Sequence, residues 1–152
     1  MHHIKLIESR NKKREQGNIE MDKVSIFKKL KFGIAESCLI VNAPEEYLSI
    51  LSGVDFDSSP IELKIGKYGF VQVFAWSQAE MEILIKRVAK AGKYDCLFWA
   101  CYPKSRGKER YDLNRDTVWP ALSLAGLRPV SQVAIDEKWS ALRSRDPELV
   151  GK

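Results

Sequence analysis

Residues 22–32, DKVSIFKKLKF, set Val24, Phe27 and Leu30, with Ile26, on one side at helical spacing. Asp22 can cap that helix and Gly33 can end it. Residues 38–43, CLIVNA, are a short β-rich apolar run, which predicts a buried strand. PEEYLSIL follows, with Pro44 in a first helical turn, Glu45 and Glu46 at the positive end of the helix, and Asn42 or Ala43 as cap. GVDFDSSP (53–60) is a loop. IELKI (61–65) alternates and predicts a strand, GKYG (66–69) a turn, and FVQVFA (70–75) a second strand. Four residues cannot carry a parallel crossover, so two such strands, if neighbours in one sheet, would be antiparallel.

Residues 77–91 give the clearest helix. Ser77 caps it with Glu80 three residues on, Met81, Leu84, Ile85 and Val88 form its buried stripe, and Gly92 ends it. LFWACY (97–102) is the most apolar strand and reads as the central one. A helix over 116–125 must be started or kinked by Pro120, and Gly126 closes it. VSQVAI (130–135) and WSALRSR (139–145) form a hairpin through Asp136-Glu137-Lys138. Strand–helix alternation ending in a hairpin predicts an α/β, Rossmann-like, three-layer sandwich. Its mixed sheet has about five or six strands, with helices on both faces and a C-terminal antiparallel hairpin. Residues 1–20 read as a flexible basic tail, 21–146 as a single α/β domain and 147–152 as a C-terminal tail. Met21 reads as an alternative start, with 1–20 an upstream extension; an intact mass that includes His2 and His3 would exclude this.

Sheets of this kind bind ligands at the carboxyl ends of their parallel strands. Those ends carry Asn42-Ala43-Pro44, Ala75-Trp76-Ser77 and Tyr102-Pro103-Lys104. The first strand–helix turn is where a glycine-rich loop would cradle phosphate. Here it holds no glycine, Pro44 lacks an N–H donor, and Glu45 and Glu46 repel an anion. No dinucleotide or P-loop glycine motif occurs elsewhere, so no nucleotide cofactor is expected.

The stretch Lys104–Asp116 is different: eight of its thirteen residues are charged. Pro103 stiffens its start, and Asp112 or Asn114 can cap the helix after it. Lys104, Arg106, Lys108, Arg110 and Arg115 suit a phosphate or carboxylate. The plainer reading is a solvated loop with local ion pairs such as Asp112–Arg115.

The whole chain of 152 residues carries a formal charge of +5, a mild excess. Its only histidines are His2 and His3, which excludes a Ser–His–acid triad, a Cys–His pair or a histidine-ligated metal unless that segment folds back. Cys38, Cys96 and Cys101 have no metal spacing and read as reduced core thiols, so no metal is expected and a cytoplasmic location is. Asp136 is a general base only if buried beside a ligand; otherwise it bonds its own turn. Trp76, Trp99, Trp119 and Trp139 read as core or rim packing rather than a base-stacking platform.

Tyr102-Pro103-Lys104, Asp112 with Arg115-Asp116, and Val133 to Arg143 with Asp136, Trp139 and Ser140 resemble the bacterial domain-of-unknown-function family 3052, over about residues 24–145. The resemblance implies the fold and marks a motif, and it brings no assigned activity. The layout is also similar to a reduced methyltransferase-like fold. It departs from that fold where Asn42-Ala43-Pro44-Glu45-Glu46 replaces the glycine-rich cofactor loop and where no acidic residue ends IELKI.

These readings favour a non-catalytic binding or regulatory module that engages an anionic small molecule or protein through loop 102–116. Its ligand-binding candidates are Tyr102, Lys104, Arg106, Arg115, Trp139 and Ser140. One alternative is a transferase-like enzyme needing neither metal nor histidine and using Lys104 and Asp136 or Asp116. The other is a nucleic-acid binder using the loop and the basic tail.

Overall fold

The computed structural model describes residues 22–33 and 37–151. The proposed tail 1–20, with His2 and His3, lies outside the described residues. The elements are helix α1 (22–29), β1 (Cys38–Val41), α2 (Glu45–Ile50), β2 (Tyr68–Phe74), α3 (Gln78–Val88), β3 (Gly92–Pro103), α4 (Arg115–Ser123), β4 (Arg128–Ala134) and β5 (Trp139–Arg145). One five-stranded mixed sheet runs β1-β2-β3-β5-β4, so β3 is central. β1, β2 and β3 are parallel, while β5 is antiparallel to both β3 and β4.

Alternation along the strands sends side chains to two cores. Leu39, Val41, Val71, Val73, Ala100 and Leu142 pack under α3 and α4. Cys38, Ile40, Phe70, Phe74, Trp99 and Ala141 pack under α1 and α2. The expected α/β sandwich with helices on both faces is therefore the observed architecture. Gln72 is a buried polar residue in β2; it accepts from the Tyr47 hydroxyl at 2.9 Å and faces the Cys101 sulfur at 3.4 Å. Burial there pushes the Cys101 thiol up to about 12 and the Tyr47 hydroxyl well above its ordinary value.

Several local expectations are corrected. IELKI is not a strand: Glu62–Lys64 form a 3-10 turn, and Ile61, Leu63 and Ile65 are exposed. β2 already has β1 and β3 as neighbours, which leaves this segment no ladder to join. β2 starts at Tyr68, inside the expected turn. In α1 and the turn after it the buried residues are Ile26 and Leu30, while Val24 is 69% exposed. Pro44 itself takes the cap position of α2. Gly92 does not end α3; it begins β3, close against Cys96. α4 begins at Arg115, so Pro120 lies inside it, where it forgoes one backbone bond. Pro147–Leu149 form a 3-10 turn capped by Asp146 rather than a plain tail.

The course between β1 and β2 positions the site. After α2 the chain passes along the side of β1 away from β2. There Ile40 donates to the Asp57 carbonyl and Asp57 donates to the Cys38 carbonyl, each at 2.9 Å. The chain then crosses to the other side of β1 to form β2. The winding reverses at this point, and α2 and α3 lie on opposite faces. The crevice between the carboxyl ends of β1 and β2 is thus the topological switch point of the sheet.

Candidate functional site

At the switch point β1 is followed by Asn42, whose φ of 61° lies in the left-handed region. Asparagine is one of the few residues with a side chain that tolerates this conformation. Its Nδ2 donates to the Phe74 carbonyl at 2.8 Å and to Glu80 Oε1 at 3.3 Å. The same Glu80 oxygen accepts from the Trp76 backbone N–H at 2.9 Å. Ser77 caps α3 by accepting from the Glu80 N–H. The chain's own side chains therefore bridge the crevice.

The exit of β3 carries a second set of bonds. The Lys104 N–H donates to the Lys138 carbonyl at 2.7 Å, and its ammonium donates to the Asp136 carbonyl at 2.8 Å. Lys104 therefore fastens the strand exit to the β4–β5 turn. The Asp136 carboxylate accepts from the N–H groups of Lys138 and Trp139 at 2.8 and 2.7 Å. One of its oxygens is committed to its own turn, the structural role for an aspartate there.

The charged loop is built, not loose. Arg106 and Glu109 exchange backbone bonds at 2.9 Å around Gly107, whose φ is 55°. Ser105 Oγ accepts from the Tyr111 N–H at 3.0 Å. Asn114 caps α4 in a capping box with Thr117. Asp112 does not pair with Arg115; it accepts from the Gln78 N–H at 2.8 Å and so ties the loop to α3. Among the described residues, Arg106, Lys108, Arg110 and Arg115 take part in no ion pair, and all four are exposed.

An aromatic file joins this loop to the core. Tyr47 meets Phe74 at 4.8 Å between ring centroids, and Phe74 meets Trp139 at 5.3 Å. Trp139 meets Trp76 at 4.9 Å, and Trp76 meets Tyr111 at 5.9 Å. Trp76 is 40% exposed, and the Lys138 ammonium sits 4.6 Å from its ring centre. Trp139 donates to Glu46 Oε1 at 3.3 Å, which reaches across to α2.

The segments Tyr102-Pro103-Lys104, Arg115-Asp116 and Asp136 to Ser140 gather at this one edge. Tyr102 pairs with Ser140 and Pro103 with Trp139 across β3 and β5. Tyr102, Trp139 and Ser140 are nevertheless buried, so they support the edge rather than face solvent. Burial lifts the Tyr102 hydroxyl above its ordinary value, and the nearby Arg115 charge opposes the rise. Of the sequence candidates, Arg106 and Arg115 are exposed and Lys104 is half-buried. Asn42, Glu80 and Lys138 were not among those candidates. The signal for Asn42 was a glycine-free turn in which only Asn takes the left-handed conformation readily.

No protein-family model matches the chain, and no characterised protein matches it by sequence. Solved structures do match. A SAM-dependent methyltransferase from Aquifex aeolicus aligns over 81% of this chain and 88% of its own, with a TM-score of 0.58 and 11% identity. The fold is methyltransferase-like. The (4+2)-cyclase SpnF aligns over 87% of this chain and 82% of its own, with a TM-score of 0.56 and 10% identity. PigF, solved with SAH, aligns over 86% and 65%, with a TM-score of 0.53 and 9% identity. Identities this low establish the fold alone, and a cyclase beside a methyltransferase shows that one fold hosts different chemistries.

The residues present do not fit S-adenosylmethionine. The turn after β1 has no glycine, Glu45 and Glu46 stand at the start of α2, and the Asn42–Phe74–Glu80 bridge crosses the crevice. The acidic residue beside β1, Asp57, is engaged at the amino-terminal end of β2, by the Tyr68 hydroxyl at 2.6 Å and Lys64 at 3.0 Å. Among the described residues no group of acidic, cysteine or histidine side chains is arranged to hold a metal ion. None of the described helices is long and apolar enough to cross a membrane.

Proposed function

We propose that the chain is a non-catalytic binding or regulatory module that engages an anionic ligand or partner through loop 102–116. The carrying observation is the ordered loop itself, with Arg106, Lys108, Arg110 and Arg115 exposed and, among the described residues, in no ion pair, beside a crevice closed by Asn42 and Glu80. Lys104 and Lys138 extend the cationic edge, and Trp76 offers an apolar face within it. Tyr102, Trp139 and Ser140 hold the edge from below. The motif segments that carry the resemblance to family 3052 lie along this edge.

An enzyme using Lys104 and Asp136 fits less well. The Lys104 ammonium is bonded to a carbonyl and the Asp136 carboxylate to two backbone N–H groups. The fold neighbours favour one second reading, S-adenosylmethionine binding, against which the bridged crevice counts.

The test is a titration of the full chain with tripolyphosphate, followed by amide NMR. Shifts should cluster at 104–116, and Lys104→Ala and Arg115→Ala should weaken binding about three- to tenfold each, as loss of a charged contact does. Arg115→Ala should keep its thermal midpoint, and Lys104→Ala, which loses one exposed bond to the Asp136 carbonyl, should lower it by no more than a few degrees. If both lose substantial stability instead, these side chains are structural and the site assignment fails. Shifts centred on Asn42 and Trp76 on adding S-adenosylmethionine would favour the second reading.

A further inference from the structure

A groove of about 610 Å³ lies on the opposite side of the 136–138 turn, between α1, α2 and the end of β4. Its lining includes Ile26, Ile50 and Ile135, of which Ile26 and Ile135 are buried and Ile50 half-buried. Its lining also includes four exposed acidic residues: Asp22 from α1, Glu46 from α2, and Asp136 and Glu137 from the turn, with one oxygen of Glu46 held by Trp139 and one of Asp136 held by its own turn. Among the described residues the one cation in the lining, Lys29, is turned onto the Ala134 carbonyl at 3.2 Å. The groove is therefore acidic in a chain that carries +5 overall.

The carboxylates come from three separate elements and flank an aliphatic floor. They do not converge as a metal cage would, and no such group exists among the described residues. A complementary occupant is cationic at several separated points and aliphatic between them. We propose that this groove docks a short basic amphipathic peptide segment of a partner protein. Its aliphatic side chains lie on Ile26, Ile50 and Ile135, and its lysines or arginines reach the groove's carboxylates. This is the groove mode of peptide recognition, in which apolar anchors contribute affinity and rim charges contribute orientation and on-rate. The surface is distinct in place and opposite in sign from the cationic edge.

Fluorescence anisotropy of the full chain with a labelled synthetic peptide, alternating paired lysines with paired isoleucines, tests the proposal. Asp22→Lys combined with Glu137→Lys should weaken binding about tenfold or more, since both side chains are exposed and neither takes part in a bond that holds the fold. A control peptide with serine in place of every isoleucine should bind about tenfold more weakly still. The Arg106→Ala and Arg115→Ala variants should bind the peptide as wild type does, which separates this surface from the anionic-ligand reading. No binding by wild type, equal binding by the charge-reversed variant, or equal binding of the serine peptide overturns the proposal. So does self-association of the full chain in sedimentation that the charge reversal abolishes, because the occupant is then a second copy.

Discussion

Replacing Asn42 by alanine removes two contributions at once, and a glycine at the same site separates them. Alanine loses the bonds to the Phe74 carbonyl and Glu80 while holding a side chain at φ 61°. The left-handed conformation costs a residue with a Cβ roughly 1–2 kcal/mol, and a lost hydrogen bond costs about 0.5–1.5 kcal/mol. Asn42→Ala should therefore cost about 2–3 kcal/mol. Asn42→Gly loses the bonds but not the conformational ease, so it should cost about 1 kcal/mol. In a chain of this size each kcal/mol lowers Tm by about 2–4 °C. Thermal and urea unfolding of the three proteins should rank wild type above Gly and Gly above Ala. Asn42→Asp replaces the donor to the Phe74 carbonyl with an acceptor and adds a like charge beside Glu80, so it should be destabilised at pH 7 by more than Asn42→Gly. Alanine as stable as glycine would refute the backbone argument. All three at wild-type stability would show that the bridge over the crevice contributes nothing.

Two further outcomes can be checked by unfolding. A Cβ at Gly92 would lie 2.4 Å from the Cys96 sulfur and 3.3 Å from Val71 Cγ2, so Gly92→Ala should cost about 1–3 kcal/mol by overpacking. The double variant with Cys96→Ala should recover part of that cost, and strict additivity in the cycle would refute the contact. The Tyr68 hydroxyl, and then Lys64, hold the Asp57 carboxyl below the usual carboxylate range, and Arg145 does the same for Asp95. A lowered folded pKa contributes stability that is present above about pH 4 and is lost as pH falls through the folded value. Asp57→Asn and Asp95→Asn should each flatten the loss of stability between about pH 4 and pH 2; an unchanged acid profile would refute the pairing.

The central position of β3, the capped helix α3 and the terminal hairpin were legible because each rests on a local pattern that the tertiary structure reinforces. Met81, Leu84, Ile85 and Val88 are all buried as their spacing requires. IELKI shows the limit of that reading. Its alternation is a strand pattern, but a strand needs a free neighbour, and the sheet order leaves none beside β2. Val24 failed in a similar way: helical spacing gave the right helix and placed Ile26 and Leu30 correctly, but only the packing against Cys38, Ile40 and Trp99 shows that Val24 lies off the buried stripe.

The edge that carries the charged loop was legible from Pro103-Lys104 and the helix cap that follows. The exclusion of a phosphate cradle was legible from a turn without glycine. The closure of the crevice was not, because Asn42 and Glu80 are 38 residues apart and meet only through the parallel pairing of β1 with β2. Burial of Ser140 was equally invisible, and Trp139 was read both as packing and as a ligand contact, since the hairpin pattern does not say which strand is covered on both faces. β5 lies between β3 and β4 and is, while β4 is the outer strand and largely exposed.

The Asn42–Glu80 bridge also shapes what sequence change can do to this fold. A pocket that holds a ligand adds stability in proportion to the logarithm of ligand concentration over Kd, so its lining residues are maintained by binding. A crevice closed by its own side chains is maintained by folding alone. A substitution that opens it loses stability at once, while a glycine turn and a contact for an incoming molecule require further, separate changes. Each single step toward a binding cleft at this position therefore costs stability before it gains anything in affinity.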